Sequence, residues 1–253
     1  MQTMNLFYRS VKWRFQNPVT IIMTLIQPLI WLLLFSTLFG GEKAGGNYTA
    51  FILPGILIMG VMSGSGISGI ANYSLKAGGS YYRIVISPVK RSAIVAAHIL
   101  DAAVVAFIQT SVLLGLAFLM SVRIASGADG FLLMLLLLFF TSAFAAALSY
   151  ALSLVIPDEN AFIALVNTLT LPLFFVSSAL IPYEQLQGGF RAAAGLNPFT
   201  PVIQGLRMLI LEERINWPEL LTAGTVVLVL AAASFGLAVH MLNRDSRHPH
   251  LSY

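Results

Sequence analysis

The chain has 253 residues, of which 58% are hydrophobic and only 9% are charged, and its net charge is +4. Soluble domains carry roughly 25% charged residues, so this composition excludes an ordinary globular domain and indicates a polytopic membrane protein. The lysines and arginines flank apolar runs, a pattern that suits membrane orientation and lipid headgroups better than nucleic acid. The absence of cysteine excludes a disulfide framework, a thiolate metal site and a cysteine nucleophile.

The N-terminal arm, residues 4–17, predicts an amphipathic helix that lies on the cytoplasmic surface of the membrane. Leu6, Phe7 and Val11 fit one helical face. The basic and aromatic residues that favour the membrane interface are Arg9, Lys12, Trp13 and Arg14. The alternative is a plain positive flank for the first span.

Six apolar runs predict transmembrane helices, because each is close to or above the ~20 residues that cross a hydrocarbon core. The predicted spans are residues 19–39, 51–75, 93–122, 131–156, 161–181 and 220–242. The first run exceeds the roughly 7–15 residues of a signal-peptide core, so we expect it to be retained. The expected fold is one all-α transmembrane domain over residues 1–253, with no soluble domain.

Six spans place both termini on one side, and the basic residues favour the cytoplasm for that side. With this orientation nine of the 14 lysines and arginines lie inside and five lie outside. The inside set is also closer to the spans, as the positive-inside rule requires. We therefore expect a multi-pass protein of the plasma (inner) membrane.

Small and polar residues inside the predicted spans are candidates for a translocation path or a subunit interface. Gly60 and Gly64 lie four residues apart in span two, a spacing that lets helices approach closely in lipid. Packing within the chain is the other interpretation of this pair. The uncharged polar candidates elsewhere in the spans are Asn72, Gln109 and Asn167.

Residues 76–91 form a short basic segment between spans two and three, which we interpret as a cytoplasmic elbow that contacts another protein. Residues 182–218 mix prolines and glycines with apolar pieces too short to span. Such pieces suit re-entrant or interfacial half-helices on the extracytoplasmic side, tolerated at membrane depth when packed in protein.

The sequence shows little that predicts catalysis on this chain. None of its four lysines lies in a Gly-x-x-x-x-Gly-Lys loop, so we expect no ATP hydrolysis by this chain. His98 and Asp101 share a helical face near the start of span three. A local polar contact is one interpretation of this pair, and a proton relay or an intramembrane enzyme site is the alternative. The pattern predicts no metal site.

Three motifs in order, on this topology, resemble the membrane subunit of an ABC-2 type exporter over nearly the whole chain. Residues 48–56 (YTAFILPGI) look like the family's start of span two, and residues 79–91 (GSYYRIVISPVKR) look like its coupling segment. Residues 196–207 (LNPFTPVIQGLR), with Asn197 and Pro198, look like its motif before span six. The chain departs from the family pattern in lacking acidic residues before the elbow.

The resemblance implies a division of labour between chains. A separate cytoplasmic ATPase, carrying ATP and Mg²⁺, would bind the elbow and the N-terminal helix, and a second membrane subunit would complete the path. The implied coupling residues are Gly79, Ser80, Tyr81, Tyr82, Arg83 and Pro88. Tyrosine offers contact area and arginine a planar donor fork, although lipid anchoring also explains Lys90 and Arg91.

The cargo expected from such sparsely polar spans is hydrophobic or amphiphilic: a drug, a lipid or a lipid-linked glycan. An ion pump or an aqueous channel would carry charged rings or relays. A stand-alone ion-coupled carrier remains an alternative, although it usually shows repeated halves.

Overall fold

The computed structural model describes residues 18–39, 48–86 and 89–245, and within these ranges all regular secondary structure is helical. The predicted interfacial helix at residues 4–17, with Arg9, Lys12, Trp13 and Arg14, lies outside the described residues. So do Pro88 and the side chain of Tyr82.

The described helices follow the apolar runs of the sequence, since a helix satisfies its own backbone hydrogen bonds in lipid. They are α1 (Pro18–Phe39), α2 (Tyr48–Gly66), α3 (Ile70–Ala77), α4 (Ser80–Ile86), α5 (Arg91–Leu119), α6 (Gly127–Val155), α7 (Glu159–Phe175), α8 (Gly188–Leu196), α9 (Phe199–Leu211) and α10 (Trp217–Asp245). Two 3₁₀ turns, Ile67–Gly69 and Tyr183–Gln185, lie between them.

Among the residues that the structure describes, four helical segments are long and apolar enough to cross a membrane. They are Tyr48–Ala77, which joins α2 and α3 through the first 3₁₀ turn, and the helices α5, α6 and α10. The all-α membrane fold expected from the sequence is confirmed at this level. The remaining two predicted spans correspond to α1 and to the shorter helix α7.

Helix α7 ends at Phe175, earlier than the predicted limit of 181. Its start is well defined, because the Asp158 carboxylate accepts a hydrogen bond from the Ala161 amide at 2.7 Å. Its end is also held: Asn197 Nδ2 donates to the carbonyls of Leu173 and Val176, at 2.6 and 3.0 Å. The Leu173 carbonyl belongs to the last turn and the Val176 carbonyl to the residue directly after it, where a helix has no partners of its own.

Helix α2 is the centre of the fold. It packs against α1, α5, α6, α7 and α9, and nearly all of its residues are buried. A second buried cluster lies at the elbow end and joins α4, α5, α6 and α10. The elbow is therefore packed onto the helix bundle.

Candidate coupling site and the buried polar contacts around it

Within the elbow, residues 80–86 form a separate short helix, α4, which two glycines separate from α3. The backbone amides of Gly78 and Gly79 donate to the Ser74 and Lys76 carbonyls and so close α3. Gly79 has φ +66°, a left-handed conformation that other residues rarely adopt. The chain can therefore turn at Gly79 and begin α4 at Ser80, one of the predicted coupling residues.

Tyr81 points into the protein. Its side chain is 3% exposed and lies among Ile94, Val95 and Leu242. Its hydroxyl donates to Asp245 Oδ2 at 2.5 Å, which joins the elbow to the last residue of α10. The contact area of Tyr81 is thus directed at the last helix, and its predicted role in docking stays a prediction.

Arg83 differs from Tyr81, because its side chain is exposed. Other basic residues surround this end of the bundle. Lys76 Nζ lies 5.3 Å from the centre of the Tyr81 ring, a cation–π distance, and Lys90 is exposed where α5 begins. Nη1 of Arg91 is buried and has no hydrogen-bond partner. The elbow end of the described bundle therefore combines a buried Tyr–Asp contact with exposed positive charge.

A seam of small polar side chains connects the second long segment to α6. Ser65 and Ser142 share a hydrogen bond of 2.9 Å, and Asn72 Nδ2 donates to Ser153 Oγ at 2.6 Å. Between them, Ser149 Oγ accepts from the Gly69 amide at 2.8 Å. Asn72, a predicted path or interface residue, therefore makes a hydrogen bond within its own chain.

The seam coincides with the 3₁₀ turn Ile67–Gly69. Ser149 Oγ also donates to the Gly66 carbonyl, at 2.5 Å, so one hydroxyl bonds the backbone on both sides of the turn. A Cβ on Gly69 would lie 2.6 Å from Ser149 Oγ and 2.8 Å from Phe162. A glycine is thus required where α6 and α7 press against the turn.

His98 joins the same seam. Its Nε2 lies 3.0 Å from Ser68 Oγ, and its ring meets Tyr150 edge-on at 5.0 Å between ring centres. Asp101 is buried one turn further along α5. These contacts give His98 a structural partner and leave the function of the pair open.

Gly60, Gly64 and Gln109, predicted separately, meet at one point inside the bundle. A Cβ on Gly60 would lie 3.1 Å from Gln109 Nε2, and one on Gly64 would lie 2.9 Å from Gln109 Oε1. The glycines thus make room for the buried amide within one chain. Asn167 is different, since it is exposed on α7.

At the opposite end of α2, the predicted re-entrant segment forms the helices α8 and α9. Asn197 lies between them; besides bonding the end of α7, its Oδ1 accepts from the Phe199 amide at 2.9 Å. Pro198 directly precedes α9, where a missing N–H removes no helical hydrogen bond. Asn197 therefore fixes the start of α9 against the end of α7.

Arg207 on α9 is the main residue whose role the sequence analysis missed. Its Nη2 donates to the carbonyls of Ser178 and Ala179 at 2.7 and 3.2 Å, and its Nε donates to the backbone carbonyl of Phe51 at 3.1 Å. The guanidinium also stacks 3.7 Å from the centre of the Phe51 ring. A single arginine in an apolar helix was the available signal.

The long apolar helices define the class as a helical membrane protein. The ABC-2 type transporter family model matches residues 1–211. The chain belongs to the ABC-2 type transporter family.

Similar proteins described as transport permeases agree with this family assignment. A protein named as a transport permease, ycf38, of Cyanophora paradoxa is 29% identical over 205 residues, which cover 77% of this chain and 69% of the relative. The corresponding protein of Pyropia yezoensis is 27% identical over 211 residues, 81% of this chain and 71% of the relative. The daunorubicin resistance ABC transporter permease protein DrrB1 of Streptomyces coeruleorubidus is 29% identical over 199 residues, 76% and 69% of the two chains.

Proposed function

We propose that this chain is the membrane-spanning subunit of an ATP-driven exporter and that a separate ATPase chain docks on α4. The observation that carries the proposal is the division of α4 into two sides in a chain of this family. Tyr81 fixes one side to α10, and Arg83 is exposed on the helix. A planar, permanently charged guanidinium suits a carboxylate or backbone carbonyl on a partner.

The proposed topology has six spans with both termini in the cytoplasm. The spans are α1, the segment Tyr48–Ala77, α5, α6, α7 and α10. The basic residues around α4 then face the cytoplasm, as the positive-inside rule favours. Helices α8 and α9 lie on the extracytoplasmic side, where α9 packs against α2 and α10.

A second membrane subunit completes the proposed path. Helix α7 supports this step, because Asn167 and Thr168 are exposed near the middle of an apolar helix. Polar side chains at that depth gain most from hydrogen bonds across a helix interface. The same exposed side carries Leu171 and Phe175, which add apolar contact area.

The proposed cargo is hydrophobic or amphiphilic. The support for this class is the apolar character of the spans, since an ion pump or an aqueous channel would carry charged rings or relays. The DrrB1 relative is named for resistance to daunorubicin, which agrees with an apolar cargo class.

Affinity capture from native membranes tests the proposal. Wild type, Arg83→Glu and Arg244→Glu are purified in mild detergent, and the co-purifying proteins are identified. Arg244 is the matched control, because it is an exposed arginine at the same end of the bundle, one residue before Asp245. We expect an ATPase subunit with wild type and Arg244→Glu, and its loss with Arg83→Glu.

Two results would contradict the proposal at different levels. Retention of the ATPase by Arg83→Glu would exclude Arg83 as the docking residue and leave the exporter assignment intact. Absence of any ATPase with wild type would contradict the exporter assignment and favour a carrier that acts alone.

A further inference from the structure

Helix α1 contains a proline that leaves one backbone carbonyl without its usual partner. In an α-helix the N–H of each residue donates to the carbonyl four residues earlier. Pro28 has no N–H, so it cannot donate to the carbonyl of Thr24, four residues before it. Helix α1 nevertheless continues to Phe39, so a donor on another helix can take the place of the missing N–H.

Gln109 on α5 supplies that donor. Its Nε2 donates to the Thr24 carbonyl at 3.0 Å, although 85 residues separate the two in sequence. The Gln109 side chain is 1% exposed, so water does not compete for this hydrogen bond. The amide therefore restores across two helices the bond that the proline removes within one.

The glycines of α2 make this contact sterically feasible. Any side chain at Gly60 or Gly64 would press on the Gln109 amide, since a Cβ would lie within 3.1 Å of it. A Cβ on Gly60 would also lie 3.5 Å from Pro28. The amide oxygen, Oε1, is buried with no donor, so Gln109 contributes a hydrogen bond through its nitrogen alone.

We propose that Gln109 is a positioning residue that replaces the hydrogen bond lost at Pro28 and so fixes the bend that this proline introduces into α1, against α2 and α5. A change in that bend then requires the Gln109–Thr24 bond to break. The relevance of this contact to transport rests on the proposed function, whereas its effect on helix geometry does not.

A double-mutant cycle isolates the contact. Gln109→Met keeps a long unbranched side chain and removes the donor. Pro28→Ala returns an N–H to residue 28, so that α1 can bond Thr24 by itself. Ser111→Ala is the control on α5, because Ser111 is exposed and bonds the Phe107 carbonyl of its own helix.

The helix geometry is read from spin labels on the full-length protein in nanodiscs. The chain has no cysteine, so labels attach only at introduced positions. Ile22→Cys and Leu38→Cys place labels at exposed sites on either side of Pro28. In a straight helix their backbones are separated by about 24 Å, and a bend that is no longer fixed broadens the measured distance distribution.

With Pro28 present, we expect Gln109→Met to broaden the distribution and to lower the thermal midpoint by about 2–4 °C. In the Pro28→Ala background, the same substitution should have less than half of either effect, and Ser111→Ala should have none. Rescue by Pro28→Ala of a Gln109→Met protein that cannot be purified also supports the proposal. Equal effects in both backgrounds, no effect in either, or failure of both proteins to fold would overturn it.

Export of cargo by the complex with its ATPase separates this inference from the proposed function. Loss of export in Gln109→Met and its recovery in the double variant would link the bend of α1 to transport. Normal export despite the broadened distribution would overturn that link. Absence of export in wild type would contradict the proposed function and leave the helix-geometry result standing.

Discussion

Replacing Tyr81 with phenylalanine removes one hydroxyl from the elbow and leaves its ring in place. The lost hydrogen bond, from Tyr81 to Asp245 Oδ2, involves a charged acceptor. Such bonds contribute about 1.5–3 kcal/mol. Asp245 is only half-buried, so water can solvate the freed carboxylate, and the lower limit applies. A loss of about 1.5 kcal/mol corresponds to a roughly tenfold shift of the equilibrium between an elbow packed against α10 and an elbow released from it, toward the released state.

Hydrogen–deuterium exchange of the protein in nanodiscs measures this shift directly. We expect Tyr81→Phe to raise the exchange rate of amides in residues 80–86 about tenfold, since exchange follows local opening. Tyr73→Phe is the matched control: Tyr73 lies on α3, and its hydroxyl donates to the neutral Ile156 carbonyl at 2.8 Å. Exchange of α4 should not change in that variant.

The reasoning is refuted if α4 exchanges at the wild-type rate in Tyr81→Phe, or if Tyr73→Phe produces the same increase. Capture of the ATPase adds a second criterion. Because Arg83 is untouched, Tyr81→Phe should still retain the ATPase while ATP-driven export falls. Loss of capture would indicate that the Tyr81 hydroxyl contacts the ATPase, contrary to its contact with α10 in this structure.

Two further predictions concern stability, each measured as the free energy of unfolding in detergent. Arg207→Met removes the donors to three backbone carbonyls and should lower stability by about 3 kcal/mol. The control Arg191→Met, at an exposed site, should change stability little. Equal losses in the two variants would contradict the buried role of Arg207. Gly69→Ala should lower stability by about 2–3 kcal/mol, because the new Cβ meets Ser149 at 2.6 Å. Gly115→Ala, where a Cβ meets nothing within 4 Å, should be neutral or stabilising, and a neutral Gly69→Ala would refute the tight contact at the turn.

The helical fold was predictable because hydropathy acts locally. Apolar runs of sufficient length form helices in lipid whatever their neighbours, and α5, α6 and α10 follow the predicted runs closely. The end of α7 was not predictable in this way. It depends on Asn197, whose amide bonds the last turn of α7 from more than 20 residues further along the chain.

The candidate site was predictable as a segment but not in its internal roles. The basic residues and the glycine pair mark the elbow in the sequence, and residues 80–86 form a short helix there. The Tyr81 hydroxyl bonds Asp245, 164 residues away, a distance over which no local pattern carries information. Gln109 is a similar case, since its partner Thr24 lies 85 residues earlier, on another helix.

The 3₁₀ turn at Ile67–Gly69 divides the second long segment into arms of unequal length. At 1.5 Å per residue, the 8 residues of α3 extend about 12 Å toward the elbow, and the 19 residues of α2 extend about 28 Å the other way. The backbone stays right-handed through the turn, and Ser149 bonds both sides of it. If the segment tilts as a stiff rod about this fulcrum, a displacement of ~1 Å at the elbow moves the far end of α2 by ~2 Å. The segment then acts as a lever driven at its short arm. A small displacement at the elbow produces a larger displacement, with less force, at the opposite end.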